Sequence, residues 1–178
     1  PVSSTEEEER ILPVLELIRR YYPDAIISID TTRHSLAFKG IEKYHVNLIN
    51  DISAFSGDHE MIGTISKLHV PYVIMHMKGT PSNMQVNPQY ENLIDEIIAY
   101  FSEKVSILKK KGINDIIIDP GFGFGKSLDH NYQLLANLSV FQLFELPILA
   151  GVSRKSMVSK LLNTSAKKSL NGTTALHM

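Results

Sequence analysis

One short stretch of the chain, residues 116–126, combines residue types that suit the binding of a small polar ligand; it reads Ile-Ile-Ile-Asp-Pro-Gly-Phe-Gly-Phe-Gly-Lys. The apolar, β-branched run Ile116–Ile118 predicts a strand that is covered on both faces, as in a parallel sheet. Asp119 follows at its carboxyl end, where parallel α/β folds place their ligand sites. The alternating glycines allow a tight turn, and core packing alone does not explain Phe122 and Phe124 on such a loop. An acid and flat apolar side chains at this place suit a planar, hydrogen-bonding heterocycle.

The same stretch differs from the two common nucleotide-binding loops. A Walker A loop has four residues between its first glycine and its Gly-Lys-Ser/Thr end. Here only three residues separate Gly121 from Gly125-Lys126-Ser127. The order Gly-Phe-Gly-Phe-Gly also lacks the Gly-x-Gly-x-x-Gly fingerprint of dinucleotide sites. The alternative that the local sequence leaves open is a tight turn from strand to helix with incidental phenylalanines.

Composition narrows the class of protein. The chain has 178 residues, of which 43% are hydrophobic, and this predicts a single domain over residues 1–178. Lys and Arg number 18 against 19 Asp and Glu, so we expect a small-molecule ligand rather than nucleic acid or a membrane surface. The absence of cysteine excludes disulfides, thiolate metal sites and a cysteine nucleophile. No signal peptide and no apolar run near about 18 residues is found, which predicts a cytoplasmic protein.

Strand and helix patterns alternate from one end of the sequence to the other. Strands are predicted at 25–30, 47–52, 72–77, 116–119 and 148–152. Helices are predicted at 33–43, 58–69, 88–111, 130–141 and 155–162, after a first helix that follows Ser3 and stops before Tyr22-Pro23. Such βαβ units predict a parallel sheet, either doubly wound or part of a (β/α)₈ barrel. A whole barrel takes about 250 residues, and both ends of this sequence have helical patterns. We therefore expect part of a barrel that lacks strands at both termini.

Polar side chains stand where the predicted strands end. In chain order they are Asp30, Asn50-Asp51, His76, Asp119 and the stretch Gly151–Lys155. Because the carboxyl ends of parallel strands open on one face, we expect these residues to converge on one pocket. Taken singly, Asp30, Asp51 or Ser153 has the simpler interpretation of a helix cap. We interpret His76 as a hydrogen-bonded core histidine, because no other histidine or carboxylate stands at metal-ligand spacing to it.

Taken together, these segments resemble the motifs of bacterial dihydropteroate synthases. The segments are Ser28–Thr31, Ile49–Ile52, Met75–Pro81 with Met84-Gln85, Asp119–Lys126 and Gly151–Ser156. The resemblance implies a (β/α)₈ barrel, of which residues 1–178 cover about strands three to seven with their helices. It also implies an alkyl transferase of folate biosynthesis. Such an enzyme joins 6-hydroxymethyl-7,8-dihydropterin diphosphate to p-aminobenzoate and gives 7,8-dihydropteroate and diphosphate.

The resemblance further implies which residues form the site. Asp119 and Lys155 are the expected catalytic residues, with the two oxygens of Asp119 accepting from adjacent N–H and amino donors of the pterin. The expected pterin-binding residues are Asp30, Asn50, Ile52, Met77, Asp119, Gly151 and Lys155. The expected p-aminobenzoate-binding residues are Phe124, Ser153 and Lys155. The family's reaction is understood as dissociative, so the protein positions substrates and stabilises charge and needs no nucleophile.

Three features of the family have no counterpart in residues 1–178. They are a first-strand asparagine that binds Mg²⁺ and diphosphate, a covering loop of the Ser-Thr-Arg-Pro-Gly type, and a final Arg-x-His anion site. We therefore expect Mg²⁺ as a cofactor whose ligand is not in this chain, and we expect the isolated chain to be inactive. The parent protein is expected to be a homodimer.

Three alternatives remain open. One is the pterin-binding domain of a methyltetrahydrofolate-dependent methyltransferase, which is not expected to carry the Gly151–Ser156 or Met75–Pro81 motifs. Another is a pterin-binding homologue without catalytic activity. A nucleotide-binding module of the Rossmann type is the most distant, because both nucleotide fingerprints fail.

Overall fold

A computed structural model of the protein describes residues 2–165. In this part of the chain, helices and strands alternate. The helices are α1 (Ser4–Tyr21), α2 (His34–Tyr44), α3 (Glu60–Leu68), α4 (Leu93–Lys110), α5 (Leu128–Ala136), a 3₁₀ helix (Leu138–Phe144) and α6 (Ser156–Leu161). The strands are β1 (Ser28–Asp30), β2 (Leu48–Asp51), β3 (Tyr72–Met75) and β4 (Ile116–Asp119).

The strands form one sheet in the order β1-β2-β3-β4. Strands β1 and β2 are parallel, as are β2 and β3, and Asn50 lies opposite Asp30 on one side and Val73 on the other. The amides of Tyr72 and His76 donate to the carbonyls of Asp115 and Asp119, which links β3 to β4. The residues of β3 and β4 are buried or nearly so, as expected for strands covered on both faces. The predicted α/β fold with a parallel sheet is confirmed.

The described chain divides into two compact units. The first unit comprises residues 2–74 and 104–117. Its core contains fully buried side chains from α2, α3 and the strands, including Leu36, Ile49, Met61, Ile65 and Tyr72. Helix α1 begins as predicted, because the side chain of Ser3 accepts a hydrogen bond from the amide of Glu6. The guanidinium of Arg19 donates to the carbonyls of Tyr44 and His45, which fastens the end of α1 to the end of α2.

The second unit comprises residues 75–103 and 118–165. Its core is aromatic, with the ring of Phe101 edge-on to those of Phe141 and Phe144 at centroid distances of 6.3 and 6.0 Å. Phe122 is also fully buried here, so core packing does explain this residue, contrary to the expectation from sequence. Helix α5 begins with a reciprocal capping box between Ser127 and His130. The prediction of a single domain stays a prediction.

Two predicted elements are wrong in part. Helix α4 begins at Leu93 rather than at Pro88, because the carbonyl of Asn92 accepts the first helical hydrogen bond, from Glu96. The predicted strand over 148–152 is reduced to one parallel bridge between Ile118 and Ile148. After that bridge the chain turns, with the amide of Val152 bonded to the carbonyl of Ala150.

Apart from one divided helix, the remaining predictions that fall within residues 2–165 differ at their ends only. The predicted helix over 130–141 is divided between α5 and the 3₁₀ helix. The helical pattern near 169–178 lies outside the described residues. None of the helices in residues 2–165 is long and apolar enough to cross a membrane.

Candidate functional site

The loop that follows β4 has a conformation that only glycine adopts without strain. Gly121 has a φ of +75°, in the left-handed region. A Cβ atom on Gly121 would lie 1.9 Å from the carbonyl oxygen of His76, a separation that no side chain tolerates. The loop therefore packs backbone against backbone at the end of β3, and this fixes the direction in which the chain leaves Asp119.

Asp119 is almost completely buried at the end of β4, with 7% of its surface exposed. Its Oδ1 accepts a hydrogen bond of 2.8 Å from the amide of Gly121. Its Oδ2 lies 3.8 Å from the point where a Cβ of Gly151 would be, so the absence of a side chain at Gly151 leaves room beside this oxygen. Burial raises the pKa of Asp119, while the Gly121 amide and the ammonium groups of Lys155 and Lys126 act in the opposite direction. The result is a fixed acceptor that still has a second oxygen to offer.

Lys155 and Phe124 lie together in the same unit. The Nζ of Lys155 is 4.3 Å from the centroid of the Phe124 ring, the geometry of a cation–π contact. The Lys155 stem packs on the loop, because its Cδ is 3.2 Å from the point where a Cβ of Gly123 would be. Burial lowers the pKa of Lys155, and the charge of Asp119 opposes that change. Ser153 is exposed on the turn that precedes Lys155.

Lys126 belongs to the same cluster, although no role was predicted for it. The side chain is buried, and its Nζ lies 2.9 Å from Nδ1 of His76 and 3.0 Å from the carbonyl oxygen of Gly121. Burial lowers the pKa of Lys126 to about 7, and the charge of Asp119 opposes this change.

Burial also lowers the pKa of His76, to about 3, so the imidazole is neutral near neutral pH. The interpretation of His76 as a hydrogen-bonded core histidine is confirmed. The signal for Lys126 in the sequence is its place directly after the glycines, although the spacing there does not fit a phosphate loop.

Other side chains of the second unit hold the glycine loop in place. Gln85 Nε2 donates to the carbonyl of Gly123 at 2.7 Å, and the hydroxyl of Tyr90 donates to the carbonyl of Gly125 at 2.7 Å. The amide of Gly123 donates to Oδ1 of Asn131, also at 2.7 Å. These three hydrogen bonds tie the backbone of the loop to side chains of the same unit.

The first unit holds a second pair of predicted site residues. Nδ2 of Asn50 donates to Oδ1 of exposed Asp30 at 2.9 Å. Oδ1 of Asn50 is buried and has no hydrogen-bond partner within residues 2–165. A buried acceptor of this kind normally has a partner, so this atom is suited to a ligand that brings a donor. Ile52 follows β2 and is half-buried.

Asp51, the neighbour of Asn50, has a structural role. Its Oδ1 accepts from the amide and hydroxyl of Ser53 at 2.8 and 2.6 Å. Its Oδ2 accepts from the amide of Phe55 and the hydroxyl of Tyr72 at 2.8 and 2.6 Å. Both oxygens of this fully buried carboxylate are thus used to hold the loop after β2. Asp51 is not a cap of α3, which begins at Glu60.

The structure brings the predicted site residues together in two groups. Asp30 and Asn50 are in contact in the first unit, and Asp119, Gly151, Lys155 and Phe124 are neighbours in the second. Met77 is half-buried and directly follows β3 and His76. The convergence of all predicted site residues on one pocket stays a prediction. Within residues 2–165, no three side chains of His, Asp or Glu are placed to hold a metal ion together.

Known proteins share both the sequence and the fold of this chain. The family model described as pterin binding enzyme matches residues 1–178. The dihydropteroate synthase of Escherichia coli strain K12 is 39% identical over 176 residues, which are 98% of this chain and 61% of the relative. That of Haemophilus influenzae is also 39% identical over 176 residues, which are 98% of this chain and 63% of the relative. The chain therefore spans less than two thirds of the length of these relatives.

Solved structures of dihydropteroate synthases are also similar to this chain. The crystal structure of the Yersinia pestis dihydropteroate synthase with a sulfonamide drug complex has a TM-score of 0.93 and 39% identity, and the match covers 99% of this chain and 64% of that one. A dihydropteroate synthase from Clostridium difficile, crystallised in the presence of pteroic acid, has a TM-score of 0.89 and 32% identity, with coverage of 99% and 65%. The predicted fold class, part of a (β/α)₈ barrel, is confirmed. With its buried acid, its glycine loop and a family model that matches from end to end, the chain belongs to the family of pterin-binding enzymes.

Proposed function

We propose that the protein is a dihydropteroate synthase, which transfers a pterinylmethyl group from 6-hydroxymethyl-7,8-dihydropterin diphosphate to p-aminobenzoate. The observation that carries the proposal is the geometry at Asp119. One oxygen of this buried acid is fixed by the Gly121 amide, and the other lies beside Gly151. Such an acceptor fits the adjacent ring N–H and amino group of a pterin, which are two parallel donors.

Lys155 is proposed to bind both substrates. Its Nζ lies over the ring of Phe124 and its stem packs on the glycine loop. In the proposal the ammonium group meets the carbonyl and ring-nitrogen edge of the pterin. The alkyl stem, Phe124 and Ser153 border p-aminobenzoate.

Family membership supports further contacts. Asn50 is proposed to accept a hydrogen bond from the pterin through Oδ1, its buried oxygen, and Asp30 is proposed to hold the amide of Asn50 in that orientation. Ile52 and Met77 are proposed to supply apolar contacts to the ring.

The reaction needs positioning and charge stabilisation from these residues. The bond between the pterin methylene carbon and the diphosphate oxygen breaks, and diphosphate leaves with the electron pair. The amine nitrogen of p-aminobenzoate forms the new bond to carbon and releases a proton. A carboxylate that accepts hydrogen bonds from the pterin donors stabilises positive charge on the ring as the bond breaks. A fixed lysine orients both partners for the second step.

Three parts of the proposal rest on the family alone. Mg²⁺ is proposed as a cofactor by family resemblance, with its ligand outside this chain. The steps assigned to Asp119 and Lys155 do not involve the ion. A homodimer and a cytoplasmic location are proposed for the protein at its natural length.

The decisive experiment measures p-aminobenzoate-dependent release of diphosphate from the dihydropterin substrate by the protein at its natural length. We expect turnover, inhibition by a sulfonamide, and loss of turnover in Lys155→Ala. Binding of labelled p-aminobenzoate in the presence of pyrophosphate distinguishes this reaction from that of a methyltetrahydrofolate-dependent methyltransferase. A protein that binds pterin but neither binds p-aminobenzoate nor releases diphosphate would contradict the proposal.

A further inference from the structure

The side chain of Lys126 is one of the least exposed charged side chains in the described part of the protein, with 3% of its surface accessible. Its Nζ is surrounded by acceptors. Besides Nδ1 of His76 at 2.9 Å and the carbonyl of Gly121 at 3.0 Å, the carbonyl of Phe124 lies at 3.2 Å and that of His76 at 3.4 Å. An ammonium group has three donors and no acceptor, so this environment matches its chemistry.

These contacts connect Lys126 to Asp119 through a single residue. The amide of Gly121 donates to Oδ1 of Asp119, and the carbonyl of Gly121 accepts from Lys126. The position of Gly121 therefore depends on the ammonium group, and the orientation of the Asp119 carboxylate depends on Gly121. The same ammonium holds the carbonyl of Phe124, whose ring lies under Lys155.

We propose that Lys126 is a positioning residue, whose ammonium group fixes Gly121 and Phe124 so that Asp119 and the Phe124 ring are held ready for the ligand. The ligand, a pterin, comes from the proposed function, whereas the positioning of Asp119 does not depend on it. In this proposal Lys126 acts through Gly121 and Phe124 and does not itself contact a substrate.

The charges of Asp119, Lys155 and Lys126 support the same role. Burial raises the pKa of Asp119, and the charges of Lys155 and Lys126 act to lower it. Burial lowers the pKa of Lys126, the charge of Asp119 acts to raise it, and the charge of Lys155 acts to lower it. Burial, together with the charges of Lys126 and Lys78, lowers the pKa of His76 to about 3. The imidazole is therefore neutral near pH 7, and its Nδ1 accepts a hydrogen bond from the ammonium group of Lys126. Lys126 thus supplies a positive charge next to Asp119 and favours its ionised form.

The first test compares Lys126→Met with Lys160→Met, which removes an exposed lysine of the same unit. NMR of the ligand-free protein measures the titration midpoint of the Asp119 carboxyl and the exchange rate of the Gly121 amide. In Lys126→Met we expect a higher midpoint for Asp119 and exchange at least about tenfold faster at Gly121. Calorimetry with 7,8-dihydropterin should give an affinity lower by about tenfold to a hundredfold. Lys160→Met should change none of these quantities.

The second test needs no variant and so does not depend on the folding of Lys126→Met. In the wild-type protein, ¹⁵N NMR of the Lys126 side chain gives its titration curve, and 7,8-dihydropterin affinity is measured from pH 6 to 8.5. We expect the affinity for 7,8-dihydropterin to fall with rising pH along the titration curve of Lys126.

An affinity that stays constant while Lys126 loses its proton would overturn the proposal. Unchanged Asp119 titration and Gly121 exchange in a folded Lys126→Met protein would also overturn it. A wild-type protein that binds no pterin contradicts the proposed function, while the ligand-free measurements still decide the role of Lys126.

Discussion

Two buried aspartates, Asp51 at the end of β2 and Asp119 at the end of β4, use their oxygens differently. Asp51 accepts four hydrogen bonds from its own unit, two at each oxygen. Asp119 accepts one, from the amide of Gly121 at Oδ1. A carboxylate has about four lone-pair sites, so Asp51 has no capacity left and Asp119 has most of it. This difference separates the aspartate that holds a loop from the aspartate that is able to bind a ligand.

We expect Asp119→Asn to weaken pterin binding by about 2–3 kcal/mol, because the amide loses one acceptor and presents a donor to donors. Isothermal calorimetry with 7,8-dihydropterin measures the loss. Asp129→Asn, at an exposed position in the first turn of α5, is the matched control and should bind as the wild type does. Unchanged affinity in Asp119→Asn would remove Asp119 from the site.

We expect the opposite pattern for Asp51→Asn. The free energy of unfolding should fall by about 2–4 kcal/mol, because two donors lose a charged acceptor in a fully buried place. Urea unfolding followed by circular dichroism measures the change, and Asp115→Asn, at an exposed position of the same unit, should remain within about 0.5 kcal/mol of the wild type. A stable Asp51→Asn protein with impaired pterin binding would show that Asp51 belongs to the ligand site instead.

At the scale of elements, the loop after β4 depends on glycine for a steric reason. Gly121→Ala should lower the free energy of unfolding by about 2–4 kcal/mol, since the new methyl group meets the His76 carbonyl oxygen at a positive φ. Gly63→Ala is the control: it lies inside α3 with nothing within 4 Å of the added carbon. Helix propensity predicts that this second change stabilises the protein by about 0.5–1 kcal/mol. Thermal and urea unfolding of both variants measure the two effects, and equal stability of the two would show that the loop rearranges freely.

The elements that the sequence predicts well are those with a local cause. The first helix follows Ser3, whose side chain caps it, and α4 ends before Gly112, which has a positive φ of 77°. The predicted start of α4 was wrong because the chain is not helical at Tyr90, whose hydroxyl instead donates to the carbonyl of Gly125. No local pattern encodes that contact.

The residues of the candidate site were predictable from sequence only where they stand in motifs. Asp119, Lys155 and Phe124 stand in motifs, and the structure makes them neighbours. The separate roles of Asp51 and Lys126 were not predictable, because each depends on partners far away in sequence. Asp51 accepts from Tyr72, and Lys126 contacts His76, a residue 50 positions earlier. The burial of Phe122 was not predicted either.

At the scale of the whole molecule, stability depends on pH through groups whose pKa changes on folding. Burial holds the pKa of His76 near 3, against an ordinary value of 6.5 in the unfolded chain. Between these values the unfolded state binds a proton that the folded state does not, so stability is lost as pH falls from about 6.5 towards 3. Asp119 acts in the opposite direction, because burial raises its pKa and the folded state keeps its proton to higher pH. The observed pH dependence is therefore a sum, and only a variant isolates the part that comes from His76.

His76→Gln isolates it, because glutamine does not titrate and its side-chain oxygen is able to accept from the ammonium group of Lys126. Each pH unit between about 4 and 6 should cost the wild type up to about 1.4 kcal/mol more than it costs the variant. Urea unfolding midpoints of both proteins at pH 4, 5, 6 and 7 give the two slopes, with m-values checked for two-state behaviour. Equal slopes would mean that His76 takes up its proton in the folded state. In that case Lys126 and His76 would both be charged in acid, and their contact at 2.9 Å would open before the protein unfolds.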